Sequence, residues 1–408
     1  VKRNIVLYVG AFELPDCNAA AQRVRANAIL LTALGYDVVL IGRSSDPDCP
    51  PNKLRRAQHV GIDHDCWEMG HPASQKDWLR YISSVAALDK LIEHEYSGRV
   101  HSIICYNFPA VAQFRVRKLA RRAGARAMAD VTEWYQSLVP TSVAALVKNF
   151  DTWFRMRIVN PRMDALITTS RYLTRYYERW FDSLVELPTL IEHDSNNLEG
   201  LFATPDGGVK RLYYGGSVIE KRALAKEKEG LKDRIDWVLE LLDAVKQEGG
   251  EFHFDIYGVA REDYLEVLPY HEPLLQRLRE NVCFHGRRPR HELLDAQRCC
   301  DFSIFMRSAI RTTLAGFPTK FTESISVGTP VITNALENIE PYMNEGENCE
   351  RIEYTNLEES VARIKACLAL PAAEVLRRKL ACRQSAQFHP LRFVEEAAKL
   401  FPDQRGSQ

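Results

Sequence analysis

The sequence predicts an α/β protein made of two doubly wound, parallel-sheet domains in series, each Rossmann-like. Three observations carry this. Short apolar runs rich in branched residues end on glycine, and helix-period segments separate them. The alternation breaks once, in a polar stretch near the middle of the chain, and then restarts. The length of 408 residues suits two to three domains at roughly 150 residues each.

In the first half, 5–9 reads as a strand closed by Gly10. Asn18 is placed to cap a helix over 19–34, which Gly35 ends. A strand over 36–41, closed by Gly42, completes a unit of parallel sheet. The pattern continues with a strand at 100–106, a helix at 111–122 and strands at 127–131 and 165–169. Ser170 caps a helix over 172–181, and a strand at 185–187 precedes Pro188. The polar run His193-Asp194-Ser195-Asn196-Asn197 and then Pro205-Asp206-Gly207-Gly208 mark a domain boundary. Domains are therefore expected at 1–198 and 199–388. Residues 389–408 form a C-terminal helix and tail expected to pack back on the first domain.

The second half reads as strands at 211–214, 252–257, 282–285, 301–306 and 330–333. Asp233 is expected to open an amphipathic helix over 234–246. Helices follow at 291–299 and 318–327, the latter with Pro318 in its first turn and Gly328 past its end. Late helices are expected at 357–368, 372–383 and 392–400. A cleft between the two domains is the expected place of function.

Composition narrows the classes. Apolar residues are 46% and charged residues 26%, which excludes wholesale disorder. Lys plus Arg and Asp plus Glu are 54 each, so no nucleic-acid partner is expected. The ten cysteines form no C-x-x-C pair and lie at no zinc-finger spacing. They read as free thiols of a reducing compartment, which predicts a cytoplasmic protein. The apolar run at the start is too short for a signal peptide, and no run of about 18 apolar residues predicts a membrane span.

The most informative segment is Ala315-Gly316-Phe317-Pro318-Thr319-Lys320-Phe321-Thr322-Glu323-Ser324-Ile325-Ser326-Val327-Gly328-Thr329-Pro330-Val331-Ile332. It turns on glycine and opens a helix. The free N–H groups and partial positive charge of such an N-terminus favour phosphate, and Lys320 adds a full charge there. Glu323, one turn on, is able to accept two hydrogen bonds from a ribose diol. An ordinary helix with a surface Lys–Glu pair is the simpler alternative.

This segment resembles the signature of the retaining family 4 glycosyltransferases of GT-B fold, in particular a bacterial polysaccharide-assembly branch. Glu323 matches the family's second signature Glu, which holds the nucleotide ribose. Ala315 stands where the family has its first Glu, at the donor sugar. The resemblance implies a GT-B fold and transfer of a sugar from a nucleoside-diphosphate sugar to a hydroxyl of a glycan or lipid-linked acceptor. It implies retention of configuration and no metal or other cofactor.

The resemblance also implies site residues. Tyr213-Tyr214-Gly215-Gly216-Ser217 matches the family's first strand and turn of the donor domain, with Gly216 and Ser217 at the donor and Ser217 in place of the usual Arg. Lys232 is the match for the diphosphate Lys, with Lys228 its rival, and Lys320 assists. A cation there neutralises charge on the leaving diphosphate. Gly286 and Arg287 would lie beside the base, and Arg307 at phosphate or sugar. Phe317, Pro318 and Thr319 complete the donor loop. In the first domain, Gly10 and Arg23 are expected on the acceptor side. Asp130 and Glu133 are candidates to orient or deprotonate an acceptor hydroxyl, although capping and salt-bridge roles compete. Ser170 reads as a helix cap. Basic runs at Arg115–Arg122 and at Lys148, Arg155 and Arg157 would suit a peripheral contact with an anionic membrane face, or simply a solvated helix.

Three alternatives stay open. A non-catalytic relative that binds nucleotide or glycan fits the departures at Ala315 and Ser217. A nucleotide-sugar epimerase shares the GT-B fold. A nicotinamide enzyme is disfavoured, because Gly10 opens no G-x-G-x-x-G.

Overall fold

The computed structural model describes residues 4–15, 18–134, 143–216 and 232–401. Ser217 and Lys228 lie outside them. By its contacts the chain divides into two units. One holds Val1–Glu192, Ala315–Phe317 and Pro390–Gln408; the other holds His193–Leu314 and Pro318–His389.

The first unit is built on eight strands: β1 (Ile5–Glu13), β2 (Asp37–Arg43), β3 (Arg55–Ala57), β4 (Asp65–Met69), β5 (Val100–Tyr106), β6 (Arg126–Val131), β7 (Ala165–Thr168) and β8 (Leu184–Glu186). Their order is β3-β4-β2-β1-β5-β6-β7-β8. The pairings are parallel except β3 on β4. From β1 the chain builds outward on one side through β2 and β4, then returns to build the other side from β5. The reversal therefore lies between β1 and β5.

β1 shows why these residues make a central strand. Leu7 and Val9 enter one apolar layer, and Val6 and Tyr8 the other, so both faces are covered. Asn18 does cap the following helix, Ala19–Ala33, its side chain accepting the Ala21 N–H at 2.9 Å. Ser170 caps Arg171–Tyr177 by accepting the Leu173 N–H. Near the end of the chain, Leu400 and Phe401 join the layer around Tyr36, with the Tyr36 and Phe401 rings 4.6 Å apart.

The second unit carries six parallel strands: β9 (Lys210–Gly215), β10 (Phe252–Tyr257), β11 (Val282–Gly286), β12 (Phe302–Phe305), β13 (Val331–Thr333) and β14 (Cys349–Arg351). Their order is β11-β10-β9-β12-β13-β14, with the reversal between β9 and β12. This is the two-domain GT-B arrangement of Rossmann-like sheets that the sequence predicts. Glycine is obligatory at Gly258: its φ is +85°, and a Cβ there would stand 1.6 Å from the Gly216 carbonyl oxygen. Gly328, at φ +86°, ends the helix Thr319–Val327 in a left-handed cap.

Candidate functional site

Ligands of open parallel sheets bind beyond the carboxyl ends of the strands, at the point where strand order reverses. In the second unit that point lies past Gly215 and Phe305. Three charged side chains meet there. Arg307 follows β12, Lys320 sits in the first turn of Thr319–Val327, and Asp233 precedes the helix Ile235–Gln247.

Asp233 accepts from both cations, from Arg307 Nε at 2.6 Å and from Lys320 Nζ at 2.7 Å. The backbone supports this meeting. Asp233 and Arg307 pair as an isolated antiparallel bridge, and the Arg234 N–H donates to the Met306 carbonyl at 2.8 Å. The Asn334 side chain accepts the Arg307 N–H and donates to its carbonyl, each at 2.9 Å. Burial raises the pKa of the Asp233 carboxyl, but the Arg307 and Lys320 charges outweigh it and hold the group well below the usual carboxylate range. Nη1 of Arg307 is buried with no hydrogen-bond partner. Among the described residues, one carboxylate thus faces two cations, which gives the cluster a net positive charge.

Pro318 occupies the cap position of Thr319–Val327, and no side chain caps that N-terminus. The Lys320 ammonium stands 5.3 Å from the centre of the Tyr214 ring, whose hydroxyl donates to Asp233 at 3.4 Å. Behind it lies a cavity of about 90 Å³ lined by Tyr213, Tyr214, Gly215, Arg290, Lys320 and Glu323. Glu323 is 3.7 Å from Arg290. Burial raises its pKa, while Arg290 and Lys320 pull it down.

The structure thus brings Lys320, Glu323 and Arg307 to one strand-end region. Gly216 sits beside them, its N–H donating to the Tyr257 carbonyl at 3.0 Å. Gly286 has φ +62° and open space where a side chain would be, and Arg287 is exposed. Lys232 directly precedes Asp233. Pro318 is buried and Thr319 half-buried. Phe317, also buried, groups by contacts with the first unit, as does Ala315. The Ala315 carbonyl accepts from the Ser170 hydroxyl at 2.8 Å.

Three expectations are corrected. Asp233 does not open its helix by capping; the cap position falls on Arg234, and the Asp233 carboxylate turns to Arg307 and Lys320. Asp130 is not placed to receive an acceptor proton. It is fully buried, with Arg23 Nη2 at 2.8 Å and the Tyr8 hydroxyl at 2.6 Å. Arg23 is not an acceptor contact either. Its remaining donors go to Thr169 and to the carbonyls of Leu187 and Pro188. The two residues are an internal ion pair that ties β6 to the first helix. Glu133 is half-buried just past β6. Gly10 packs against β5, where a Cβ would come within 2.8 Å of Tyr106, and it lines a larger cavity in the first unit.

Sequence reasoning missed Asp233, Tyr214 and Arg290 as parts of the site. An acidic residue directly after the expected phosphate Lys was the available signal for the first. Among the described residues, one group of side chains could share a cation: Asp255, Cys283 and His285. Asp255 is already engaged by Arg211 at 2.8 Å and His285 at 2.6 Å, and burial pushes the Cys283 thiol up. The group reads as an ion-pair cluster.

Residues 18–185 match the glycosyl transferase 4-like domain, and residues 227–369 match the glycosyl transferases group 1. Both models describe glycosyltransferases, and together they span most of the chain. The protein belongs to these glycosyltransferases and is a glycosyltransferase. No curated protein matches it in sequence. Solved structures resemble it in fold. A sucrose-phosphate synthase from Thermosynechococcus elongatus superposes at a TM-score of 0.64 with 14% identity, covering 100% of both chains. The apo lipopolysaccharide outer core galactosyltransferase WaaB gives 0.60 and 12%, covering 98% of this chain and 99% of its own. HepE from Anabaena, solved with UDP, gives 0.60 and 10% over 98% and 99%.

Proposed function

We propose that the protein transfers a sugar from a nucleoside-diphosphate donor held on its second unit to a hydroxyl of a glycan or lipid-linked acceptor held on its first. The observation that carries this is the meeting of Lys320 and Arg307 at the uncapped N-terminus of Thr319–Val327. Two cations and a helix N-terminus suit a diphosphate, both when it binds and when it leaves with added charge. Asp233 takes part as the resident counter-ion that keeps the two cations together. Lys232 directly precedes Asp233 and is assigned to the same diphosphate. Glu323, which lines the cavity, is assigned to the ribose diol, and Gly286 and Arg287 to the base. Glu133 is the remaining candidate to orient the acceptor hydroxyl.

Retention of configuration is supported by the resemblance of the Ala315–Ile332 segment to retaining enzymes. Metal independence is supported by the chemistry of the donor site, where Lys320, Arg307 and the helix supply positive charge. Three enzymes of like fold bear on the donor: HepE and the pneumococcal O-GlcNAc transferase GtfA were solved with UDP, as was TarM.

The helix Val143–Phe154 supports a peripheral membrane contact. Val143, Leu146, Phe150 and Trp153 are exposed along it, with Lys148 between them. No helix among the described residues is long and apolar enough to cross a membrane.

The donor assignment is tested by thermal unfolding against UDP, GDP, ADP, dTDP and NAD. One nucleoside diphosphate is expected to raise the Tm of the wild type, and Lys320→Ala to abolish the rise. A rise with NAD alone would overturn the proposal.

A further inference from the structure

A cavity of about 260 Å³ sits in the first unit, at the carboxyl ends of β1, β2 and β4 and beside the β1/β5 reversal. That is the position where a doubly wound sheet holds ligands. Gly10, Arg43, Met69 and Phe108 each bring a strand end to it.

Arg43 is the unusual member. It is the last residue of β2 and only 6% exposed. Its guanidinium donates once, from Nη1 to the Gly70 carbonyl at 2.7 Å, and lies 3.6 Å from the centre of the Tyr81 ring. No carboxylate of the described residues pairs with it. Buried charges are normally paired, because desolvation is costly. The carboxylates on neighbouring elements are engaged elsewhere. Glu68 accepts from Ser44 at 2.7 Å, and its other oxygen lies 2.8 Å from His59 Nε2. Asp77 accepts from Asn52 at 2.9 Å and from Ser74 at 2.7 Å. Asp46 pairs with Arg55, and Glu13 with His71.

Two further features add positive potential. Arg80 lines the same cavity, is exposed and, among the described residues, makes no ion pair. The first turn of the ten-residue helix Ala86–Glu95 also borders it; Val85 at its cap position offers no side-chain acceptor, Ser84 Oγ accepts the Ala86 N–H at 3.3 Å, and Asp89 of that turn is paired with Arg122. Among the described residues, none that lines the cavity is acidic. Much of its wall is apolar, with Ile41, Leu54, Met69, Val85, Leu88 and Phe108, while Asn52, Tyr81 and Ser84 are its uncharged polar members. Arg43 is fixed by the backbone, since Gly70 lies so close to Cys49 that a Cβ would stand 1.9 Å from the Cys49 carbonyl oxygen.

We propose that this cavity binds an anionic group, phosphate or carboxylate, and that the acceptor carries this group beside an apolar portion. Arg43 pairs with the anion from inside and Arg80 from the rim. The apolar wall takes the part of the acceptor next to the charge. The link to the acceptor rests on the transfer reaction proposed above; the anion site itself does not.

The test is calorimetric titration of the full chain with hexyl phosphate, hexanol, inorganic phosphate, glucuronate and glucose. The wild type is expected to bind hexyl phosphate more tightly than inorganic phosphate and not to bind hexanol or glucose. Binding of glucuronate over glucose, with hexyl phosphate no tighter than inorganic phosphate, would support the anion site and assign the charge to a sugar acid. Arg43→Gln, which keeps an amide donor for the Gly70 carbonyl, should weaken the anionic probe roughly tenfold or more. Arg80→Ala, at an exposed position, should weaken it by a smaller factor. Both variants should keep the thermal shift with nucleoside diphosphate, which Lys320→Ala should lose while keeping the anionic probe. Equal binding of hexanol and hexyl phosphate, or undiminished binding in both arginine variants, would overturn the proposal. If no variant bound a nucleoside diphosphate but Arg43 still governed the anionic probe, the donor reading would fail and this one would stand.

Discussion

Each unit holds a buried arginine–aspartate pair near the strand ends, and the two pairs are finished differently. Around Arg23 and Asp130 all is sealed. Both side chains are under 4% exposed, the guanidinium spends its donors on Asp130, Thr169 and two carbonyls, and Tyr8 and Asn27 complete the carboxylate. Around Arg307 and Asp233 the set is open. A second cation competes for the one carboxylate, Asp233 is 15% and Lys320 19% exposed, and Arg307 Nη1 has no partner. The same residue types thus serve as a fastener in one sheet and as an incomplete charge set in the other. The difference lies in how many donors the surroundings satisfy.

The comparison breaks most visibly in the sealed pair. Asp130→Ala should leave a buried unpaired guanidinium and cost about 3–5 kcal/mol in denaturant unfolding. A loss under about 1 kcal/mol would mean that Arg23 is relieved by water, and that the first pair is as open as the second. In the open set, Lys320→Ala should cost affinity rather than stability. Binding of the best nucleoside diphosphate should weaken by roughly 1.5–3 kcal/mol, the value of hydrogen bonds to a charged group. The unfolding free energy should change far less than in Asp130→Ala.

A subtler effect is expected from Asp233→Asn. The ligand-free protein should melt lower, because Arg307 and Lys320 then face each other without their counter-ion. The Tm rise on adding nucleoside diphosphate should grow, because the ligand becomes their only anion. A smaller rise than in wild type would show that Asp233 positions the cations without competing with the ligand. The smallest effect is on pH dependence. The folded pKa of Asp233 is depressed, so its contribution is fully present above the unfolded value near 3.9, about that of any Asp, and fades as pH falls below it. Between pH 4 and 3 the wild type should therefore lose more stability than Asp233→Asn.

The sequence reading succeeds where local signals are clear. β5, Val100–Tyr106, and the helix Leu357–Leu368 occur at the bounds expected: β5 is mostly apolar and buried, and the Asn356 side chain caps the helix by accepting the Glu359 N–H. It finds no element between Gly42 and Val100. There β4 carries Asp65 and Glu68, which are satisfied by Tyr96, Ser44 and His59 from other segments, so no local pattern marks the strand. Much of the wall of the larger cavity comes from this stretch, which is why that site was illegible. Lys320 and Glu323 are legible because they share one helix turn with the glycine-rich motif. Asp233 is not, because its meaning depends on Arg307 and Lys320, 74 and 87 residues away. Arg23 and Asp130, 107 residues apart, resemble acceptor residues until the fold brings them together.

The most direct measurement is a crystal structure with the nucleoside diphosphate that most raises the Tm. The account predicts its diphosphate at the start of Thr319–Val327, with oxygens within about 3 Å of Lys320 Nζ and an N–H of Arg307, and the ribose against Glu323. A diphosphate bound elsewhere, with the Asp233–Lys320 and Asp233–Arg307 pairs intact and untouched, would contradict it.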